Sequence, residues 1–128
     1  QNFLSLIIDQ MFKNKKNFIS FASDYTFSPI NIHDLNKITQ IIISKKIFGI
    51  YNLSGDERLS YYEIAKKINK FLKKKNKVNL KKKSIKDFSK FTMPGSITMN
   101  NQKIKKKIKF QFSKVDSAIK KYILLNNR

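Results

Sequence analysis

Apolar residues recur at helical spacing from the start of the chain. Leu4, Ile7, Ile8, Met11 and Phe12 share one face across residues 2–14, and Asn14-Lys15-Lys16-Asn17 ends the run. Phe18-Ile19-Ser20-Phe21 is aromatic and β-branched and predicts a short strand. Ser28-Pro29 interrupts the pattern, because proline disfavours helix in the residue before it. A helix is expected from about Ile32 to Ser44, with Leu35, Ile38, Ile41 and Ile42 facing inward; Asn31 and Asp34 form a capping pair at its start.

Gly49 to Leu53 then reads as a buried strand, ended by the turn Ser54-Gly55-Asp56. Ser60-x-x-Glu63 is a capping box ahead of Tyr61, Ile64, Ala65, Ile68, Phe71 and Leu72. The lysine-rich stretch 73–83 contains Val78 and Leu80 and reads as a strand with solvated flanks. Ile85, Phe88 and Phe91 predict a helical turn. A loop through Pro94-Gly95 leads to a helix near 100–107, and Ser113-x-x-Asp116 caps a last helix carrying Val115, Ile119, Tyr122 and Ile123. Helices alternating with a few short strands make an α/β or α+β unit.

Composition narrows the functional classes. There are no cysteines, which excludes disulfides, thiolate metal sites and cysteine nucleophiles, and fits a cytoplasmic location. Phe3 to Ile8 is apolar but has no basic segment before it and no small-residue cleavage site after it, so it reads as helix rather than signal peptide. No apolar run is long enough to span a membrane. A formal charge of +20 invites a nucleic-acid reading, since lysines that neutralise phosphates bind any sequence. Arg58 and Arg128 are the only arginines, however, and arginine supplies the planar fork that recognises phosphate and guanine. Together with abundant Asn, Ile and Phe, the lysines read mainly as compositional bias on solvated faces. No nucleic-acid or membrane partner is expected on this reading, and a small basic nucleic-acid-binding module is the competing class.

Three segments in order resemble the reductases that make dTDP-rhamnose, within the extended short-chain dehydrogenase/reductase superfamily. Asp24-Tyr25-Thr26-Phe27-Ser28-Pro29, running on to Asp34-Leu35, is similar to that family's Asp-x-x-x-Ser-Pro-Thr-x-x-x-Asp-Leu stretch. Gly49-Ile50-Tyr51-Asn52-Leu53-Ser54-Gly55 and Ser60-Tyr61-Tyr62-Glu63 resemble its Gly-Ile-Tyr-His-Leu-x-Gly strand and its Ser-Trp-Tyr-Glu helix start. Pro94 with Met99-Asn100-Asn101-Gln102-Lys103-Ile104 is similar to a late Arg-Pro-x-x-Ser-x-Leu-Asp-x-x-Lys-Leu stretch.

The resemblance implies that residues 1–128 are the C-terminal, substrate-binding portion of a nucleotide-sugar reductase, or of a sister epimerase or dehydratase. It implies an α/β fold of the substrate subdomain, with the Rossmann half absent. NAD(P)H would be bound by that missing N-terminal half, and this portion alone would be inactive. The partners implied are a nucleotide-sugar and the chain's own Rossmann domain. The substrate-binding residues implied are Asn2 and Phe3 at the first helix, Phe21 and Ser23 near the base, and Ser28 in the loop.

Two positions depart from the family. Met93 stands where the late segment has arginine before Pro94, so that a lysine such as Lys90 or Lys103 would have to replace its guanidinium; Phe27 stands where related epimerases have arginine.

The chemistry of catalysis is missing from these residues. A dinucleotide pyrophosphate sits on a glycine-rich turn at a helix start, whereas Gly49, Gly55 and Gly95 lie far apart. Tyr62-x-x-x-Lys66 has the spacing of the superfamily's acid/base pair, but it follows a capping box on a helix that resembles a non-catalytic one, and it reads as structural. His33 falls in a first helical turn without evident metal or triad partners, and the carboxylates Asp24, Asp34, Asp56, Glu57 and Glu63 sit at turns and helix starts where the helix dipole accounts for them.

Overall fold

The computed structural model describes residues 3–13, 18–88 and 94–125, Phe3 by its backbone alone. The order is α1 (Phe3–Lys13), β1 (Ile19–Ala22), β2 (Thr26–Phe27), α2 (Ile32–Ser44), β3 (Leu59–Ser60), α3 (Tyr61–Phe71), β4 (Leu80–Lys83), α4 (Gln102–Ile108) and α5 (Val115–Leu125). β1 and β4 pair in parallel, with Ile19 opposite Leu80 and Phe21 opposite Lys82. β2 and β3 pair antiparallel, Phe27 opposite Leu59. Mixed helix and strand is therefore the observed class, and these two small sheets are all the sheet structure among the described residues.

The α3 helix anchors the larger core. Ser60 Oγ accepts from the Glu63 amide and Glu63 returns a carboxylate to the Ser60 amide, so two of the orphan donors of the helix start are satisfied. Ile64, Ala65 and Ile68 then face inward against Ile7, Ile8 and Met11 of α1, Ile19 and Phe21 of β1, and Ile119 and Ile123 of α5. Each fully buried isoleucine contributes on the order of 1.5–3 kcal/mol. Lys67, on the solvent side of α3, bridges Glu57 and Asp116. Its hydrogen bond to Asp116 is the largest cause of an ammonium pKa held above the ordinary lysine range; partial burial opposes it and Glu57 adds to it.

A second, smaller core lies between α2 and α4, where Ile38, Ile104, Ile108 and Phe112 meet. Buried Asp34 joins the two regions. Its carboxylate accepts from the Ser113 amide at 2.7 Å and from the Ser113 hydroxyl at 2.9 Å.

Four local expectations need correction. Residues 49–53 do not form a strand: Ile50 is 88% exposed, and side chains meet the backbone instead, Lys103 Nζ donating to Ile50 O and Asn52 Nδ2 to Asn100 O. A strand needs a neighbouring ladder, and none lies beside this segment among the described residues. Ser113 does not cap α5: its amide and hydroxyl donate to Asp34, and the first amide of the helix, that of Val115, goes to Glu57 Oε1 at 2.6 Å instead. Asp34 is likewise not part of the α2 cap, which Asn31 makes alone by accepting from the His33 amide. Of the stretch 73–83 only Leu80–Lys83 is strand, residues 74–76 forming a 3-10 turn.

Candidate functional site

The three sequence segments singled out above, distant along the chain, converge on one place. Gly55 is buried against the backbone of Pro29: a Cβ on it would stand 2.0 Å from the Pro29 carbonyl oxygen. Ser54 Oγ donates to Met99 O at 3.0 Å, and Asn101 Nδ2 donates to both Ser54 O and Asp56 Oδ1 at 2.8 Å. Thr26 bridges to the segment after Pro94, its amide donating to Gly95 O and its carbonyl accepting from the Ile97 amide. Arg58 Nε closes the set by donating to Thr26 Oγ1 at 3.0 Å.

Among the described residues, two depressions take in expected substrate residues, and a third, of about 210 Å³, lies beside Pro29 and Ile30. The first, of about 250 Å³, lies between α1, β1 and the start of α3, with Phe21, Tyr61, Ile85 and Phe88 among its walls and Ser20 and Gln10 as its polar members. It is below the roughly 300–1,000 Å³ of pockets that enclose a drug-sized ligand, so it fits a ring rather than a whole nucleotide.

Tyr61 also belongs to an aromatic cluster. It stacks on Tyr25 with centroids 5.8 Å apart and planes 9° apart, and Phe27 leans on it at 5.1 Å. Burial, with a smaller contribution from Tyr25, pushes the Tyr61 hydroxyl above the ordinary phenol range and keeps it neutral. The opposite wall is held from a distance: Asp24 accepts from Ser84 Oγ at 2.6 Å and from the Ile85 amide at 2.7 Å, fixing the turn that carries Ile85 and Phe88. These bonds, Ser84 foremost, hold the Asp24 carboxyl below its usual range. Asp24 thus works as a long-range tie rather than through a helix dipole.

The second depression is larger, about 440 Å³, and polar, with Ser28, Gly55, Asp56, Arg58, Asn100 and Lys105 on its walls. Burial raises the Asp56 carboxyl, but the hydrogen bonds from Lys105 (2.7 Å) and Asn101 outweigh it and the net shift is downward.

The expected substrate residues are thus divided. Phe21 lines the aromatic depression and Ser28 the polar one. Ser23 faces neither: its amide and hydroxyl both donate to Lys83 O at the end of β4. Asn2 lies outside the described residues, as do Lys90 and Met93, and of Phe3 only the helical backbone is described. Lys103 is engaged at Ile50 O and 4.8 Å over the Tyr51 ring.

Tyr61, Phe88 and Arg58 are the wall residues that sequence reading passed over. Tyr61 was visible as the aromatic after a capping serine and Arg58 as one of two arginines, but nothing local places either at a cavity. Of the other candidates, His33 is exposed with Nε2 3.3 Å from Lys121 Nζ, Tyr62 packs at the core margin with Lys82 Nζ 5.3 Å over its ring, and Lys66 is exposed.

No family model matches the chain, and no curated protein matches it. Solved structures do. A dTDP-4-dehydrorhamnose reductase from Clostridium acetobutylicum superposes over 100% of this chain with a TM-score of 0.83 and 17% identity. The NADP complex of the reductase from Bacillus anthracis superposes over 97% with a TM-score of 0.80 and 22% identity. The chain carries part of the fold of a dTDP-4-dehydrorhamnose reductase. It spans 45% of the Clostridium reductase and 43% of the Bacillus one. UDP-N-acetylglucosamine 4-epimerase from Bacillus cereus shares the same fold region, with a TM-score of 0.72 and 21% identity over 98% of this chain.

The reductase-like fold raises the question of a dinucleotide. The residues present do not fit one: the three glycines lie far apart in the chain, and neither β1 nor β4 runs through a glycine-rich turn into a helix. Among the described residues no group of three His, Cys, Asp or Glu could hold a metal. None of their helices is long and apolar enough to cross a membrane.

Proposed function

We propose that this chain is the substrate-side portion of an NAD(P)-dependent nucleotide-sugar reductase of the dTDP-4-dehydrorhamnose reductase kind, its catalytic residues and cofactor site lying in a dinucleotide-binding unit outside these residues. The observation that carries the reading is the convergence of the three motif segments on one junction, with a polar depression at it and an aromatic one at the start of α3. A ring-sized aromatic cavity beside a polar cleft has the character required by a ligand with an apolar heterocycle at one end and charged or hydroxylated groups further along. The fold shared with the Clostridium and Bacillus reductases supports the same class. On this reading Phe21 backs the base, and Asn2, Phe3, Ser23 and Ser28 contribute to the substrate side, Ser23 by fixing the end of β1 rather than by direct contact.

The test joins this chain to the polypeptide encoded upstream of it. The joined protein is expected to oxidise NAD(P)H in the presence of a dTDP-4-keto-sugar, and the 128-residue chain alone is expected to give no turnover. An upstream sequence without a glycine-rich strand-turn-helix and a Tyr-x-x-x-Lys, or a joined protein without turnover, contradicts the reading. The likeness to the 4-epimerase carries the sister reading, and interconversion of UDP-sugars without net NAD(P)H consumption would select it.

A further inference from the structure

Arg58 is the exposed guanidinium of the polar cleft, and it has no acidic partner among the described residues. Its Nε–H is spent on Thr26 Oγ1 across the β2–β3 pair, which fixes the plane of the group. The terminal N–H groups are left for a ligand, and a planar fork matches two oxygens of a phosphate at once. The Asp56 carboxylate on the same wall is engaged by Lys105 and Asn101. Around the guanidinium the cleft offers uncharged donors: the Ser28 hydroxyl, and the Asn100 amide, whose oxygen is committed to the Gln102 amide. At Gly55 the wall is bare backbone. The backbone from Arg58 to Tyr61 links the cleft to the aromatic depression, a span of about 10 Å at the usual strand rise, comparable with the reach from base to diphosphate in one extended nucleotide.

We propose that Arg58 is a phosphate-binding residue of this chain, clamping the diphosphate of the nucleotide-sugar in the polar cleft while the base occupies the cavity beside Phe21. The inference rests on the substrate class given above and adds to it the residue that reads the anion.

Inorganic pyrophosphate titrated into the 128-residue chain at fixed ionic strength, followed by NMR, tests it. Pyrophosphate is expected to shift Arg58, Thr26 and Ser28 resonances saturably. Arg58→Gln is expected to weaken binding about tenfold or more, and Arg58→Lys to fall between, keeping the charge but losing the fork. Lys75→Gln removes the same charge from the exposed 3-10 turn at 74–76 and is expected to stay within about twofold of the parent. Arg58→Gln or Arg58→Lys binding as tightly as the parent, or Lys75→Gln costing as much as Arg58→Gln, overturns the assignment in favour of diffuse lysine charge.

Thymidine, which has no phosphate, separates the two readings. If it fails to perturb the Phe21 cavity while pyrophosphate still binds through Arg58, the base site falls and the phosphate site stands. If thymidine binds and Arg58→Gln leaves pyrophosphate unaffected, the reverse holds.

Discussion

Gly55→Ala is expected to destabilise the chain by more than about 4 kcal/mol or to prevent folding, whereas Gly95→Ala should change stability by no more than about 0.5 kcal/mol. The added methyl at residue 55 would stand 2.0 Å from the Pro29 carbonyl oxygen and 3.0 Å from its carbon. Neither atom belongs to a flexible side chain, and the proline ring fixes φ at residue 29, so the clash cannot be relieved by a rotamer change. Nor can residue 55 retreat easily. Its neighbours are tied to the far segment through Ser54 to Met99 and Asp56 to Asn101 and Lys105. At Gly95 the nearest atom to a Cβ, Asp24 O, is 3.5 Å away, an ordinary contact. Urea denaturation of both variants checks the pair. Equal stabilities would show that the close approach of the Gly55 and Pro29 backbones is not a fixed feature of the fold.

Phe21→Ala is the second large effect, with an expected loss of about 3–5 kcal/mol, the range for emptying a buried aromatic site. Phe21 is 4% exposed and packs in the core with Ile64, Ile68 and Ile119, so the deletion opens a void at the meeting of β1, α3 and α5. Phe21→Leu separates the two roles of the ring. It keeps most of the volume, with an expected cost near or below about 1.5 kcal/mol. It removes the flat face, and base–aromatic stacking is worth about 1–3 kcal/mol per base, so nucleoside affinity is expected to drop several-fold to about a hundredfold while the protein remains folded. A leucine variant that binds thymidine unchanged would remove Phe21 from the ligand wall and leave it a core residue only.

The parts of the fold that could be read along the chain are those governed by local rules. The α3 helix declares itself through Ser60 and Glu63 because a capping box is complete within four consecutive residues. The periodicity of Leu4, Ile7, Ile8 and Met11 marks α1 for a similar reason, and the parallel partner strands β1 and β4 overlap two of the three stretches read as strands.

Misreadings arise where a partner far along the chain outbids the local one. Ser113 has the spacing of a cap, but its donors go to Asp34, 79 residues away in sequence. Residues 49–53 have the apolar content of a strand, yet no ladder stands beside them among the described residues, and Lys103 and Asn52 satisfy the backbone and the loop instead. The pairing of β2 with β3 is two residues long on each side, too short to leave a period-two signature.

The site was legible to the same limit. The motif segments were visible in order, and the structure brings them into contact through Gly55 with Pro29 and Asn101 with Ser54. Which side chains face a cavity depends on closure of the whole chain. That is why Ser23, named from its place at a strand end, turns back to Lys83, whereas Tyr61 and Arg58 line the two depressions.

The most direct test of nucleotide-sugar recognition is a titration of the 128-residue chain with a dTDP-linked sugar, followed by backbone and aromatic NMR at near-physiological salt. The account predicts saturable shifts at near-physiological salt that appear together at Phe21, Ala22, Tyr61 and Phe88 and at Ser28 and Arg58. Shifts confined to the exposed lysines of 73–83 and erased by salt, or no shifts at all, would contradict it.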